Sequence, residues 1–394
     1  MSKAAASKAR EGPNPLHDAV LDAYAAALAA VEPAPLVKKA IRQGLLDDWF
    51  GDREKPAPIH VLAWGKAAPR MAWGLLEAKV PFTGLGIAPV GTQVPRIEGL
   101  TWLAGEHPLP GDQSFAAGTA ILDWVDALPE GAPVLVLLSG GASSLAEVAA
   151  PRVRRDDLRQ RWRAWLGAGL PIETMNVARS KLSILKGGLL GERLLRITPK
   201  IRVWILSDAP PALSSQVVGS GPFWVEGQRI EHRVLAENND AVAAAGLRLA
   251  NLGFEVFRHS RRIDAGAEEE VEAFLDAFAG LPKGQVALVG GGEPTVNVPE
   301  GSPPGGRAQH SALHAAVSLK RRGLDAVFAS LATDGIDGTS EAGAIVVAAD
   351  GGPEAESALR RFDAHGFLAG RDRLVAAGAT GTNVNDLWIA LRSD

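Results

Sequence analysis

Short apolar runs alternate with longer amphipathic stretches along the chain, and polar, glycine-rich clusters recur where the apolar runs stop. Ile59–Trp64 ends in Gly65-Lys66 and is followed by the helix-like Ala67–Val80. Val134–Leu138 runs into Ser139-Gly140-Gly141-Ala142-Ser143-Ser144, and Ile201–Leu206 leads into Ser207-Asp208. Fully apolar runs of strand length, each followed by a helical pattern, predict βαβ units and a mostly parallel sheet. Such sheets place ligands beyond the carboxyl ends of their strands, where each of these polar clusters falls. Upstream, the Ala- and Leu-rich stretch Asp18–Val31 predicts a helix.

From about Ala241 the pattern changes. A helix over Ala241–Leu252 precedes a strand at Glu255–Arg258 and an acidic helix at Ala267–Phe278. After a break at Leu281–Gly284, strands at Val286–Val289 and Thr295–Val298 flank Gly290-Gly291-Gly292-Glu293. Pro299–Gly306 then leads to a helix from Arg307 and a strand at Ala326–Ala332. The short connections predict antiparallel pairs in this half. The chain therefore reads as an α/β protein of two domains. Residues 15–240 form a Rossmann-like N-terminal domain with a mostly parallel sheet, and residues 241–394 form a smaller mixed α/β domain.

Composition narrows the function classes. A chain of 394 residues exceeds one compact core of ordinary size. The absence of cysteine removes disulfide scaffolds, thiolate metal sites and cysteine nucleophiles together. With 45 acidic and 41 basic residues there is no broad cationic field, so no nucleic-acid partner is expected. Met1–Pro15 lacks the apolar core of a signal peptide, and no apolar run approaches the ~20 residues of a membrane span. A cytoplasmic location without a membrane partner is the expectation.

Candidate chemistry sits in the polar clusters. Lys66, opening a helix after a strand, can reach a bound phosphate or carboxylate, though on spacing alone the exposed first-turn lysine is the plainer reading. It does not belong to a Walker A loop, because positions 60 and 67 are His60 and Ala67. No complete dinucleotide fingerprint follows any strand. Ser139, Gly140, Gly141 and Ser143 form a turn whose N–H groups can cradle an anion or merely cap a helix. Asp334 and Asp337, three residues apart in Thr333-Asp334-Gly335-Ile336-Asp337-Gly338, suit either magnesium or a glycine-bracketed turn. Arg307, after Gly305-Gly306, reads as a helix-start arginine on the surface or as a bidentate grip on a carboxylate or phosphate. Asn383, Asn385 and Asp386 crowd the loop Thr380–Asp386, where Asx turns are the plain explanation. His310 and His314, one helical turn apart without a third ligand, read as a surface pair. Arg152–Arg163 reads as a solvated helix.

In order along the chain, these clusters resemble the glycerate 2-kinase family, whose C-terminal part is the MOFRL domain. The resemblance rests on Gly65-Lys66-Ala67-Ala68, Gly105-Glu106-His107-Pro108-Leu109-Pro110, Ser139-Gly140-Gly141-Ala142-Ser143 and Asn176-Val177-Ala178-Arg179. It continues through Lys186-Gly187-Gly188, Ser207-Asp208, Ser220-Gly221-Pro222, Gly291-Gly292-Glu293-Pro294-Thr295-Val296, Gly305-Gly306-Arg307, Thr333–Gly338 and Thr380–Asp386. It implies an active site in an interdomain cleft and transfer of the γ-phosphoryl of ATP to the 2-hydroxyl of D-glycerate or a similar hydroxy acid, with Mg2+. Lys66 and Arg307 match positions that hold substrate or the transferred phosphoryl. Asp208, Asp334 and Asp337 match metal or base positions, and the Ser139–Ser143 loop and Asn383 match phosphate or nucleotide contacts. A homodimer is compatible with the resemblance.

The chain departs from the family at charged places. The family's Gly-Asp-Asp after Ser-Asp is replaced by Ala209-Pro210-Pro211, and its Arg-Asn-Gln-Glu by Arg307-Ala308-Gln309-His310. Ser180 stands where a Lys is expected, and Gly111 where an acid is expected. Fewer carboxylates weaken metal and base placement, on which phosphoryl transfer depends. Two rival readings follow. One is a member with lost or altered kinase activity that binds a metabolite. The other is a reductase of hydroxypyruvate or tartronate semialdehyde.

Overall fold

A computed structural model describes residues 14–50, 57–167, 172–207, 209, 213–227, 230–299 and 301–393. Asp208, Pro210, Pro211 and Ala212 lie outside the described residues. The helices in chain order are α1 (Pro15–Ala30), α2 (Pro33–Arg42), α3 (Ala68–Glu77), α4 (Asp112–Asp126), α5 (Ala142–Leu145), α6 (Arg155–Gly167) and α7 (Ile172–Ser180). They continue as α8 (Leu189–Leu195), α9 (Ser214–Val217), α10 (Asn238–Asn251), α11 (Ala267–Ala279), α12 (Arg307–Arg322), α13 (Pro353–Arg360) and α14 (Ala364–Ala369).

The chain divides into two compact units. One comprises Leu28–Ala241 with Ala379–Asn385; the other takes α1 as far as Ala27, Val242–Gly378, and the chain from Asp386 onward. The first unit holds β1 (Ile59–Trp64), β2 (Phe82–Pro89), β3 (Leu100–Gly105), β4 (Val134–Ser139), β5 (Ile201–Leu206) and β6 (Glu231–Ala236). All its neighbouring strands are parallel, in the order β3-β2-β1-β4-β5-β6. That is the doubly wound Rossmann order, with its reversal between β1 and β4. Every residue of β4 is buried, as expected for a parallel strand covered on both faces. Leu62, Trp64, Val136, Leu138, Val203 and Ile205 form the centre of its core.

The second unit holds β7 (Glu255–Arg258), β8 (Val286–Gly292), β9 (Val327–Asp337), β10 (Ser340–Val347), β11 (Leu374–Val375) and β12 (Asp386–Arg392). The order is β11-β10-β9-β12-β8-β7, antiparallel throughout except for the β7–β8 pair. Phe274 of α11, Phe328 of β9 and Trp388 of β12 pack edge to face at centroid distances of 5.5–5.8 Å and anchor the core.

Two expectations need correction here. Thr295–Val298 is no strand: Thr295 makes only an isolated bridge to Gly266. Both edges of β8 are taken, by β12 and β7, and the segment after β8 runs instead beside residues 265–267, where the Thr295 N–H donates to the Ala265 carbonyl and the Ala267 N–H to the Thr295 carbonyl, both at 2.9 Å. The stretch Thr333–Asp337 is part of β9 and not a turn. Between the pairs Leu331↔Gly343 and Ile336↔Glu341, the four residues Ala332–Gly335 face only Ala342. Asp334 therefore sits on a wide bulge, a device that re-aims side chains near functional sites.

Candidate functional site

The first set of candidate residues gathers at the β1–β4 reversal. Trp64 pairs with Leu138, so Gly65-Lys66 and Ser139-Gly140 leave the sheet side by side. Two bonds join the turns: the Lys66 N–H donates to the Gly140 carbonyl at 2.9 Å, and the Ala67 N–H donates to Ser139 Oγ at 3.0 Å. Gly65 is required by this approach. Its φ is +132°, and an added Cβ would lie 2.2 Å from Ser139 Oγ. Lys66 and His107 both flank the turn, since a Cβ on Gly141 would sit 3.0 Å from Lys66 Cγ and 3.3 Å from His107 Cδ2. The structure thus brings Lys66, Ser139, Gly140, Gly141 and Ser143 together at the topological switch point, where doubly wound sheets bind ligands.

A buried polar layer occupies the same unit. Ser143 Oγ lies 2.5 Å from Ser220 Oγ, which donates to Asn176 Oδ1 at 2.8 Å. Lys186 and Glu147, neither with any exposed side-chain surface, pair at 2.5 Å. Arg179 lies 4.0 Å from the centre of the Trp162 ring. Burial lowers the Arg179 pKa to about 10, with the Glu147 charge opposing. Asn383 is buried in the segment 379–385, which belongs to this unit. The Thr382 hydroxyl donates to the Val31 carbonyl at 2.8 Å, and Asn238 Nδ2 to the Val384 carbonyl at 2.8 Å, fastening that segment.

The second set lies at one end of the other unit's sheet. Asp386, the first residue of β12, pairs with Gly292 of β8 and Ala332 of β9. Its carboxylate takes a two-point bond from Arg307, Nε at 2.9 Å and Nη2 at 3.2 Å, while Arg307 Nη1 donates to Glu293 Oε1 at 2.7 Å. Burial works against the Arg307 charge, but Asp386 and Glu293 outweigh it and hold the guanidinium protonated. Asp337 accepts the Ala308 and Gln309 N–H groups at 3.1 and 2.8 Å, capping α12 with both oxygens. Burial, with the charge of Asp386, raises the Asp337 pKa to about 7. Gly306 permits the contact, since a Cβ there would lie 2.1 Å from Asp337 Oδ1. Asp334 Oδ1 accepts the Ile336 N–H at 3.1 Å.

Sequence reasoning missed Tyr24. The only tyrosine of the chain, it donates from α1 to the Ala332 carbonyl at 2.6 Å. Burial and the nearby Asp334 and Asp386 charges push its phenol pKa far up, so it stays a donor. It carried no signal beyond its rarity. The reading of His310 and His314 as a surface pair also fails. His310 is 5% exposed, and the two bond Glu268 and Glu272 of α11 at 3.1 and 3.0 Å. The acidic stripe of α11 and the His/Arg stripe of α12 face each other, which a one-helix pattern cannot reveal. Among the described residues, no cluster of three or more His, Asp or Glu side chains could hold a metal ion.

Family models agree with the geometry. One, described as a domain of unknown function (DUF4147), matches residues 19–241, and the MOFRL family model matches 286–386. A curated D-glycerate 2-kinase of Thermotoga maritima is 31% identical over 84% of this chain and 90% of its own length. The chain belongs to the glycerate 2-kinase family. The crystal structure of a glycerate kinase from Thermotoga maritima matches with a TM-score of 0.78 at 27% identity, covering 96% of this chain and 100% of that one. A relative from Agrobacterium vitis, 29% identical over 83% of this chain and 97% of its own, is named a putative hydroxypyruvate reductase. Within this family frame, Lys66 and the Ser139–Ser143 turn stand in one unit, and Arg307, Asp334 and Asp337 in the other.

Proposed function

We propose that the protein transfers the γ-phosphoryl of ATP to the 2-hydroxyl of D-glycerate or a similar small hydroxy acid, in the interdomain cleft that the family resemblance implies. The observation that carries this reading is the pairing of Lys66 with the Ser139–Ser143 turn at the switch point of a Rossmann-ordered sheet. Phosphoryl transfer needs little covalent chemistry from the protein; it needs positioning and neutralisation of developing charge. In this reading the N–H groups of the Ser139–Ser143 turn, with Asn383, hold phosphate oxygens, and the Lys66 ammonium neutralises the transferred group. Arg307, kept charged by its carboxylate partners, grips the acid's carboxylate.

Magnesium takes one or two carboxylates and completes its shell with water and phosphate oxygens. Asp334, on its bulge, suits that modest demand and would hold the ion; Asp208, outside the described residues, is a second candidate by the family resemblance alone, and either would also take the hydroxyl proton. An Mg2+ ion held there would supply charge neutralisation for the ATP oxygens. Both oxygens of Asp337 are committed to the α12 amides, so we assign it to holding the Arg307 turn.

Lys66→Ala and Arg307→Ala test these roles in a coupled ADP assay with D-glycerate. Losing one such charge lowers kcat/KM by roughly 10²–10³-fold; variants as fast as wild type would refute the assignment. The reductase reading draws on the Rossmann order and on the relative's name. Against it, the first βα turn, Gly65-Lys66-Ala67-Ala68, lacks the glycine fingerprint that admits a dinucleotide. Oxidation of NADH with hydroxypyruvate is its direct test.

A further inference from the structure

The hydroxyl chain behind the Ser139–Ser143 turn has a fixed polarity. Asn176 Nδ2 donates to the Val217 carbonyl at 3.3 Å, which sets the amide with Oδ1 toward Ser220. A carbonyl oxygen only accepts, so the single proton of Ser220 goes to Asn176 Oδ1, 2.8 Å away. Ser220 Oγ is left as an acceptor toward Ser143, and the proton in the 2.5 Å contact between them belongs to Ser143. Ser220 and Asn176 are both buried, whereas Ser143 is half-buried. Ser143 therefore offers only lone pairs to its open side. A phosphate oxygen, itself an acceptor, finds no proton there; a hydroxyl does find an acceptor.

The chain also ends at a carboxamide, which cannot take up a proton. A hydroxyl that must lose its proton in the reaction gains no base through Ser143. We propose that Ser143 is the specificity contact for the hydroxyl of the hydroxy acid that does not react, the C3 hydroxyl of glycerate. Ser220 and Asn176 are positioning residues that hold its lone pairs outward. The proposal rests on the kinase reading above and reassigns Ser143 from phosphate to acid.

The test compares D-glycerate with D-lactate, which lacks the C3 hydroxyl, in wild type, Ser143→Ala and Ser220→Ala. Wild type should favour glycerate in kcat/KM. Ser143→Ala should cut the glycerate value about tenfold, the worth of one hydrogen bond, and leave lactate and the KM for ATP little changed. Ser220→Ala, which frees the Ser143 proton, should also narrow the glycerate-to-lactate ratio. If Ser143→Ala does not fold by circular dichroism, the Ser220→Ala ratio decides. An unchanged ratio, or a rise in the KM for ATP alone, overturns the proposal while the kinase reading stands. Wild type that phosphorylates neither acid overturns the kinase reading itself.

Discussion

Arg307 already holds two carboxylates of its own unit. Asp386 is buried and fixed by two bonds, but Glu293 is 49% exposed and takes only the outward Nη1. On the proposed reading, an incoming carboxylate competes with Glu293 for that edge. Glu293→Gln should therefore lower the KM for glycerate about two- to fivefold, given the small worth of an exposed ion pair; a higher KM would make Glu293 a ligand contact instead. The Glu147–Lys186 pair makes a prediction about stability. Lys186→Met alone strands a buried carboxylate and should cost about 3–5 kcal/mol in urea unfolding, whereas adding Glu147→Leu should restore most of that loss. At this scale the sequence revealed what is contiguous. Lys66, Ser139–Ser143 and Arg307 announce themselves by following strands or glycines. Tyr24 does not, and neither does the pairing of Arg307 with Glu293 and Asp386, because these contacts join residues far apart in the chain.

Between helices, α11 and α12 form a charge ladder in the second unit. Glu272 accepts from His314, Ser318, Arg321 and Arg322. Burial pushes its pKa up, but these donors and charges outweigh it and hold the group at about 2. Glu272→Gln should destabilise the unit by about 2 kcal/mol at pH 7, read from the urea midpoint. His310 adds a pH dependence. Burial lowers its pKa below the usual value of 6.5, with Glu268 opposing. Below pH 6.5 the unfolded chain then binds more protons than the folded one. The stabilisation is full above that pH and lost as pH falls. His310→Gln should flatten the fall in Tm between pH 7 and 5; an unchanged slope would place the acid-sensitive group elsewhere. The spans of β1, β5 and β7 were legible to the residue, because each is a compact run between polar breaks. The failure at Thr295–Val298 has a topological cause. Thr295 bonds only the turn before α11, some thirty residues upstream, and no local pattern near residue 295 records that.

For the whole molecule, the Rossmann order of the first sheet places Lys66 and the serine turn at one strand reversal. The second unit holds an arginine among carboxylates at one end of its own sheet. Alternating apolar runs were enough to give the α/β class and the parallel sheet. They could not show that α1 belongs with the C-terminal unit or that residues 379–385 belong with the first, since these are long-range pairings. The phosphotransferase reading is tested most directly by product identification. Purified full-length protein is incubated with ATP, Mg2+ and D-glycerate, and phosphorus NMR follows the products. Equal amounts of ADP and glycerate 2-phosphate are expected, formed about 10²-fold more slowly by Lys66→Ala. No ADP from any hydroxy acid, with NADH oxidised in the presence of hydroxypyruvate, would contradict it.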